Sequence, residues 1–158
     1  MTSFPAPRHD HGACVARALQ TAEVLCREQG VRLTALRRRV LELVWSNHEP
    51  TKAYQLLDAL QRERSQAAPP TVYRALDFLQ ETGLVHRLES CNAFVGCTSP
   101  GRSHVGQFLI CARCQRVAEL TDPAVTEALQ RSAREAGFTI TAQVVELQGL
   151  CDDCRGLD

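Results

Sequence analysis

Two Cys-x-x-Cys pairs constrain this chain more than any other feature: Cys111 with Cys114, and Cys151 with Cys154. Two thiolates separated by two residues can occupy one edge of a tetrahedron around a zinc ion. Two such pairs supply four sulfur ligands and leave no open position for water or substrate. The sequence therefore predicts a closed structural zinc site that helps the second half of the chain to fold, and it places the function elsewhere.

Size and composition indicate a soluble globular protein. The chain has 158 residues, of which 44% are hydrophobic, enough for one ordinary domain or two small ones. No apolar run approaches the roughly 18 residues of a membrane span, and the opening MTSFPAPRHDHG lacks the features of an export signal. We therefore expect a cytoplasmic location, where paired cysteines favour metal binding over disulfides.

Charge is distributed unevenly although the formal net charge is zero. Residues 1–87 carry 12 Lys and Arg against 9 Asp and Glu, whereas residues 88–158 carry 6 against 9. This balance argues against a protein coated with basic charge, and it places any phosphate-facing surface in the first half.

Hydrophobic periodicity predicts four helices and a hairpin in the first half. The first helix covers residues 13–29, and Thr34 caps a second that ends near Trp45. The third begins at Thr51, and the fourth runs from Pro70 to just before Gly83. Two short strand-like runs follow, at 84–88 and 93–95, separated by a turn sequence. Helices followed by a hairpin predict a winged helix.

The second half has a different alternation, which predicts strands at 106–111, 117–120 and 140–150 and a helix from Pro123 to Gly137. The fold class is therefore α+β, with an N-terminal winged helix-turn-helix domain followed by a C-terminal α/β dimerisation domain that carries the structural four-cysteine zinc site. A three-stranded sheet leaves an edge to cover, which favours a homodimer. We predict a flexible arm at 1–12, a winged-helix domain at 13–90, a hinge at 91–97 and the dimerisation domain at 98–158.

The fourth predicted helix, within PPTVYRALDFLQETG, is a candidate DNA reader. Its inner face is apolar, whereas Thr71, Tyr73 and Arg74 lie outward in its first turns. An arginine there can donate two hydrogen bonds to a guanine edge, and a helix start suits a phosphate. Arg37 and Arg38 add candidate phosphate contacts. The pattern also fits a surface helix of a packed bundle, and periodicity alone leaves both interpretations open.

A second metal site is suggested by His86, Cys97, His104 and Glu119. Two imidazoles, one thiolate and one carboxylate suit tetrahedral zinc, and the sulfur disfavours magnesium and manganese. His86 belongs to the predicted winged helix, whereas His104 and Glu119 belong to the second half. One cation bound by all four would therefore restrict one half relative to the other. Taken singly, each residue also fits an ordinary structural role.

Several segments together resemble the ferric uptake regulator family, and most closely its zinc-responsive branch. They are VRLTALRRRVLEL, AYQLLDALQ, PPTVYRALDFLQETGLVHRLES, ICARCQRVAEL and GLCDDC, and the resemblance covers residues 13–154. It implies a dimeric winged-helix repressor. It also implies structural zinc ligands at the four paired cysteines, regulatory zinc ligands at His86, Cys97, His104 and Glu119, and DNA contacts at Tyr73 and Arg74.

Two departures from the iron-responsive relatives favour zinc. Those relatives carry a histidine-rich run before the first cysteine pair and a histidine in the last strand. Here the corresponding places hold residues 102–105, with the single His104, and Gln143. Fewer nitrogen and oxygen ligands, with Cys97 retained, favour zinc over iron or manganese.

We therefore predict a non-enzymatic, zinc-responsive repressor with two zinc ions per chain, which binds palindromic operators of zinc-uptake genes as a homodimer. Alternatives within the same family are a repressor that responds to peroxide or to another metal. A zinc hydrolase or a thiol oxidoreductase is disfavoured, because catalytic zinc normally keeps three protein ligands and redox Cys-x-x-Cys motifs occur in a βαβ setting. A structural adaptor that uses zinc only to fold remains a further alternative.

Overall fold

The computed structural model describes Phe4 and residues 10–46, 48–102 and 104–156. These residues divide into two compact units. The N-terminal unit runs from residue 10 to 102, and the C-terminal unit comprises Phe4 and residues 104–156. Most of the predicted flexible arm, residues 1–3 and 5–9, lies outside the described residues. Within the described part of the chain, no helix has the length and hydrophobicity needed to cross a membrane.

Four helices build most of the N-terminal unit: α1 (His11–Glu28), α2 (Ala35–Val44), α3 (Ala53–Glu63) and α4 (Pro69–Glu81). Helix α1 begins two residues before the predicted start, because the Asp10 carboxylate accepts a hydrogen bond from the Ala13 N–H at 3.1 Å and caps the helix. Helix α3 begins after the predicted Thr51. That residue is instead held in an extended bridge by two backbone hydrogen bonds of 2.9 Å with Phe94.

The predicted hairpin follows α4. Strands β1 (Val85–Leu88) and β2 (Ala93–Gly96) pair antiparallel, and Asn92 adopts a positive φ of 47° in the turn between them. The bridge between Thr51 and Phe94 connects this hairpin to the segment before α3. The N-terminal unit is therefore the winged helix that the sequence predicts.

A hydrophobic core built from the helices supports the N-terminal unit. All four helices and β1 contribute to it, and its large buried side chains include Val40, Leu41, Val44, Leu56, Leu60, Val72, Leu76, Leu79 and Val85. Helix α4 contributes five buried residues along one face, at the spacing expected of an amphipathic helix. Because that face is packed, the orientation of the outer face of α4 is set by the core.

The C-terminal unit contains β3 (Gly106–Cys111), β4 (Val117–Leu120), α5 (Pro123–Glu135), β5 (Val144–Gly149) and the short helix α6 (Asp152–Arg155). The sheet order is β4-β3-β5, with β3 antiparallel to β4 and parallel to β5. Strand β5 is shorter than the predicted 140–150, because its first partner is Gly106, where β3 begins. The α+β fold class is confirmed.

We predict that Gly96→Ala destabilises the N-terminal unit. A Cβ atom at Gly96 would lie 2.1 Å from the Trp45 indole, far inside contact distance. Crowding of this kind costs about 1–3 kcal/mol in the free energy of unfolding. Urea unfolding followed by the fluorescence of Trp45, the single tryptophan of the chain, measures the effect.

Gly149→Ala is the matched control, since Gly149 also ends a strand and nothing lies within 4 Å of its Cβ position. The Gly149→Ala protein should keep the wild-type fluorescence transition. An unchanged transition in Gly96→Ala would contradict the close contact between Gly96 and Trp45.

Candidate metal centres and nucleic-acid interface

The four paired cysteines meet because β3 and β5 run parallel. Strand β3 ends at Cys111, whose partner across the sheet is Gly149, two residues before Cys151. Carboxyl ends of parallel strands lie at the same edge of a sheet, so the first cysteine of each pair is brought to that edge. Strand β3 is followed by a turn in which Gln115 has a positive φ of 59°, and β5 is followed by the short helix α6.

The sulfur geometry matches a tetrahedral zinc site. All four Sγ atoms lie within 4.8 Å of one another, and those of Cys114 and Cys151 are 3.7 Å apart. Zn–S bonds of about 2.3 Å in a tetrahedron separate the sulfurs by about 3.8 Å. Cys111, Cys151 and Cys154 are buried, and Cys114 is partly exposed. The cluster therefore fits the structural zinc site that the sequence predicts.

Electrostatics inside the cluster also favour a cation. Burial opposes ionisation of Cys111, but backbone N–H groups of Cys114, Cys151 and Arg113 lower its pKa to about 6. Burial and the neighbouring cysteine sulfurs raise the pKa of Cys154 to about 12. The protein groups thus favour the thiolate of Cys111 and oppose that of Cys154, and a divalent cation among the sulfurs would supply the missing charge compensation.

Arg116 lies against this cluster, and sequence analysis did not single it out. Its Nε donates to Cys114 Sγ at 3.2 Å and its Nη2 to Cys151 Sγ at 3.4 Å. Nη2 also pairs with the Asp153 carboxylate at 2.6 Å. The side chain is 14% exposed. In the sequence, the only sign of this role is that Arg116 lies two residues after Cys114. Its contact with Cys151 could not be predicted, because that contact depends on tertiary structure.

Two of the predicted regulatory ligands, His104 and Glu119, form a close pair in the C-terminal unit. His104 Nε2 lies 2.6 Å from Glu119 Oε1, and the two side chains are 11% and 3% exposed. Glu119 is held on β4 opposite Phe108 of β3. A buried carboxylate beside an imidazole is costly unless a proton or a cation is shared.

The other two predicted ligands, His86 and Cys97, form a second close pair in the N-terminal unit. His86 lies on β1, and Cys97 directly follows β2, whose last residue pairs with Val85. The Cys97 N–H donates to the Leu84 carbonyl at 3.0 Å, and ligand atoms of His86 and Cys97 lie within 4.8 Å of each other. Each unit therefore presents one imidazole beside one side chain that can bind a metal, a thiol in one and a carboxyl group in the other.

The predicted DNA-contacting residues of α4 lie on its outer face. Tyr73 is 53% exposed, Arg74 is exposed, and Thr71 is partly buried in the first turn. Val72, Ala75 and Leu76 face the core between them. Pro69 and Pro70 open the helix, where a missing N–H is harmless. The arrangement suits a recognition helix, which contacts bases through its N-terminal outer residues.

Arg37 and Arg38, the other predicted DNA contacts, already have partners within the N-terminal unit. The Arg37 guanidinium lies 3.6 Å from the centre of the Phe78 ring and donates to the Arg32 carbonyl at 2.7 Å. Arg38 forms an ion pair with Glu23 of α1. Their role at DNA remains a prediction, and a phosphate would compete with these internal contacts.

Comparison with known proteins identifies the family. Residues 28–148 match the family model described as the ferric uptake regulator family. The zinc uptake regulation protein of Escherichia coli (strain K12) is 42% identical over 137 residues, which cover 86% of this chain and 80% of that protein. The chain belongs to the ferric uptake regulator family.

Solved structures of family members agree with this fold. A zinc uptake regulator complexed with zinc and DNA superposes with a TM-score of 0.82 at 38% identity, over 94% of this chain and 97% of the other. The holo form of XcZur gives a TM-score of 0.79 at 47% identity, over 87% and 96%. Its apo form gives 0.53 at 45% identity, over 90% and 98%.

A family member named for another signal is more distant. The peroxide operon regulator of Bacillus subtilis (strain 168) is 31% identical over 140 residues, which cover 88% of this chain and 94% of that protein.

For this ferric uptake regulator family member, we predict that Cys111→Ser unfolds the C-terminal unit. Serine does not replace a thiolate at zinc, and structural zinc sites contribute about 10–16 kcal/mol to folding in small zinc domains. We expect one zinc fewer per chain by elemental analysis. Limited proteolysis should digest residues 104–156 while the 10–102 fragment survives.

Cys91→Ser is the control, because Cys91 lies in the wing turn and is partly exposed. It should keep the wild-type zinc content and protease pattern. A Cys111→Ser protein with an intact, protease-resistant C-terminal unit would contradict the structural role of the cluster.

Proposed function

We propose that this chain is a zinc-responsive transcriptional repressor. As a homodimer it binds palindromic operators of zinc-uptake genes when a regulatory zinc ion is bound. The observation that carries the proposal is its similarity, at 38% identity and over nearly the full length, to a zinc uptake regulator captured with zinc and DNA. The exposed Tyr73 and Arg74 on the outer face of α4 support it.

The regulatory ion is proposed to bind His86, Cys97, His104 and Glu119. The donor set combines two imidazole nitrogens, one thiolate and one carboxylate, which zinc accepts in tetrahedral geometry. Each ligand pair is already assembled within its own unit. Four protein ligands leave no position for a substrate, so the ion regulates rather than catalyses. With the four-cysteine site, this gives two zinc ions per chain.

Coupling between zinc and DNA follows from the placement of the two ligand pairs on separate units. An ion that binds both pairs favours conformations in which they approach each other, and it raises DNA affinity only if those conformations fit the operator. XcZur supports such a change, since its holo and apo forms match this chain with TM-scores of 0.79 and 0.53 at similar identity. By linkage, operator DNA raises zinc affinity by the same factor.

Dimerisation is proposed through the C-terminal unit. Strand β5 forms one edge of the sheet described there, and α5 buries no residue in the chain itself. Large apolar side chains are exposed on and around these elements: Leu129, Phe138, Val144, Leu147 and Leu150. An exposed sheet edge with apolar neighbours is normally covered. A second copy of the chain can pair with the edge and bury the apolar side chains.

We predict that Cys97→Ala and His86→Ala abolish the zinc dependence of operator binding. A typical coupling of about 1–3 kcal/mol makes wild-type affinity ~5- to 150-fold higher with zinc. Each variant should bind at the weak, zinc-free level at all zinc concentrations. Fluorescence anisotropy with a labelled operator in zinc-buffered solutions measures this, and circular dichroism of the same samples reports the folded fraction.

Cys91→Ala serves as the control, since it removes a thiol from the same hairpin outside the ligand set. It should respond to zinc as the wild type does. A full zinc response in Cys97→Ala would refute the proposed regulatory site.

We also predict that Arg74→Ala weakens operator binding by about 1–3 kcal/mol and relaxes discrimination at one base position, because it removes a contact to a base edge. Competition with single-base operator variants measures the loss. Arg17→Ala, an exposed arginine on α1, is the matched control and should change neither affinity nor specificity. Equal losses on all DNA sequences would instead assign Arg74 to the phosphate backbone.

A peroxide-responsive repressor is the second candidate, favoured by the 31% identity to the Bacillus subtilis regulator. The higher identity to zinc uptake regulators supports the zinc response instead. Release of the operator on peroxide treatment at constant free zinc would favour the second candidate.

A further inference from the structure

Arg116 makes a connection that the proposed regulation does not use. Its guanidinium contacts one sulfur from each Cys-x-x-Cys pair, Cys114 through Nε and Cys151 through Nη2. We propose that Arg116 shields the four-cysteine site, so that its zinc is retained against chelators and thiol-directed electrophiles. This inference rests on the proposed zinc occupancy of that site and is independent of the regulatory ion and of DNA binding.

The Arg116 guanidinium is largely buried and held in place, unlike an arginine in a surface ion pair. The Arg116 side chain is 14% exposed, and the Asp153 carboxylate fixes Nη2 at 2.6 Å. Because the guanidinium is planar and rigid, an anchored Nη2 leaves little freedom for Nε, which faces Cys114 at 3.2 Å. Asp153 itself is 54% exposed, so water screens its charge while the arginine charge faces the sulfurs.

The positive charge of Arg116 stabilises the zinc-bound cysteines, because that cluster is negatively charged. Zinc with four thiolates carries a net charge of −2, and burying such a charge is unfavourable without a counter-ion or donors. Arg116 supplies one positive charge and N–H donors to two of the four sulfurs. Charge-assisted hydrogen bonds of this kind are stronger than neutral ones.

Exposure identifies the sulfur that most needs protection. Three of the four cysteines are buried, whereas Cys114 is partly exposed. Phe4 packs against the cluster as an apolar cover. The Arg116 Nε contact occupies a lone pair of Cys114, the most exposed residue of the four, and a hydrogen-bonded thiolate is a weaker nucleophile.

Iodoacetamide provides a direct probe of this protection. The coordinated thiolate attacks the CH₂ carbon, a C–S bond forms, the C–I bond breaks and iodide leaves. The resulting thioether is neutral, so the site loses a charged ligand and releases zinc. Mass spectrometry of chymotryptic peptides, whose cleavage sites the Arg116 variants leave unchanged, gives the alkylation rate of Cys114, and 4-(2-pyridylazo)resorcinol absorbance gives the rate of zinc release.

The experiment compares full-length, zinc-loaded wild type with Arg116→Gln and Arg116→Lys. We expect Arg116→Gln to raise the alkylation rate of Cys114 roughly tenfold, the size of effect expected from losing a charge-assisted hydrogen bond. Arg116→Lys keeps the charge without the planar fork, so an intermediate rate is expected. The control is Arg155→Gln, since Arg155 is 73% exposed and pairs with Asp152 in the same unit. It should react as the wild type does.

The outcomes separate this inference from the zinc site itself. Equal rates for zinc-loaded wild type, Arg116→Gln and Arg116→Lys would overturn the shield and leave the site intact. If Arg116→Gln does not load zinc, the comparison of Arg116→Lys with wild type decides, and equal rates there also overturn the shield. A wild-type protein that holds no zinc among these cysteines would overturn the inference and the proposed structural site together.

Discussion

Parallel pairing of β3 with β5 is the constraint on which the C-terminal unit depends. It brings Cys111 and the segment before Cys151 to one edge of a sheet, although 40 positions of sequence separate the two cysteines. The four sulfurs then lie within 4.8 Å of one another, and burial with the neighbouring sulfurs raises the pKa of Cys154 whereas backbone N–H groups lower that of Cys111. In the proposed structural zinc site, metal binding and folding of this unit would therefore be coupled.

The proposed regulatory site also binds zinc through four protein side chains, but those side chains are arranged differently. In the four-cysteine site all candidate ligands come from one unit, so a bound ion would stabilise that unit. The proposed regulatory ligands come in two pairs, His86 with Cys97 and His104 with Glu119, one pair from each unit. An ion shared by two units acts on conformation rather than on folding, and this difference separates a structural metal from a regulatory one.

Local sequence signals predicted most elements well. Thr34, Pro123 and the glycines after α1 and α4 mark helix ends because caps and positive φ angles depend on residues close in sequence. The earlier start of α1 has a local cause, the Asp10 cap, but two other differences arose where distant residues intervene. Thr51 leaves the predicted start of α3 because Phe94 offers it a backbone partner, and β5 starts late because its partner strand begins only at Gly106.

The sequence by itself determined the ligand types, their spacing, and the apolar and polar faces of α4, because these are properties of residue identity and helical period. Tertiary structure alone decided that Arg116 contacts sulfurs of both cysteine pairs, that Trp45 covers Gly96, and that Arg37 and Arg38 have internal partners. The physical reason is the distance along the chain over which each interaction acts. Spacing specifies which groups a segment can offer, whereas contacts between segments depend on how the strands and helices pack.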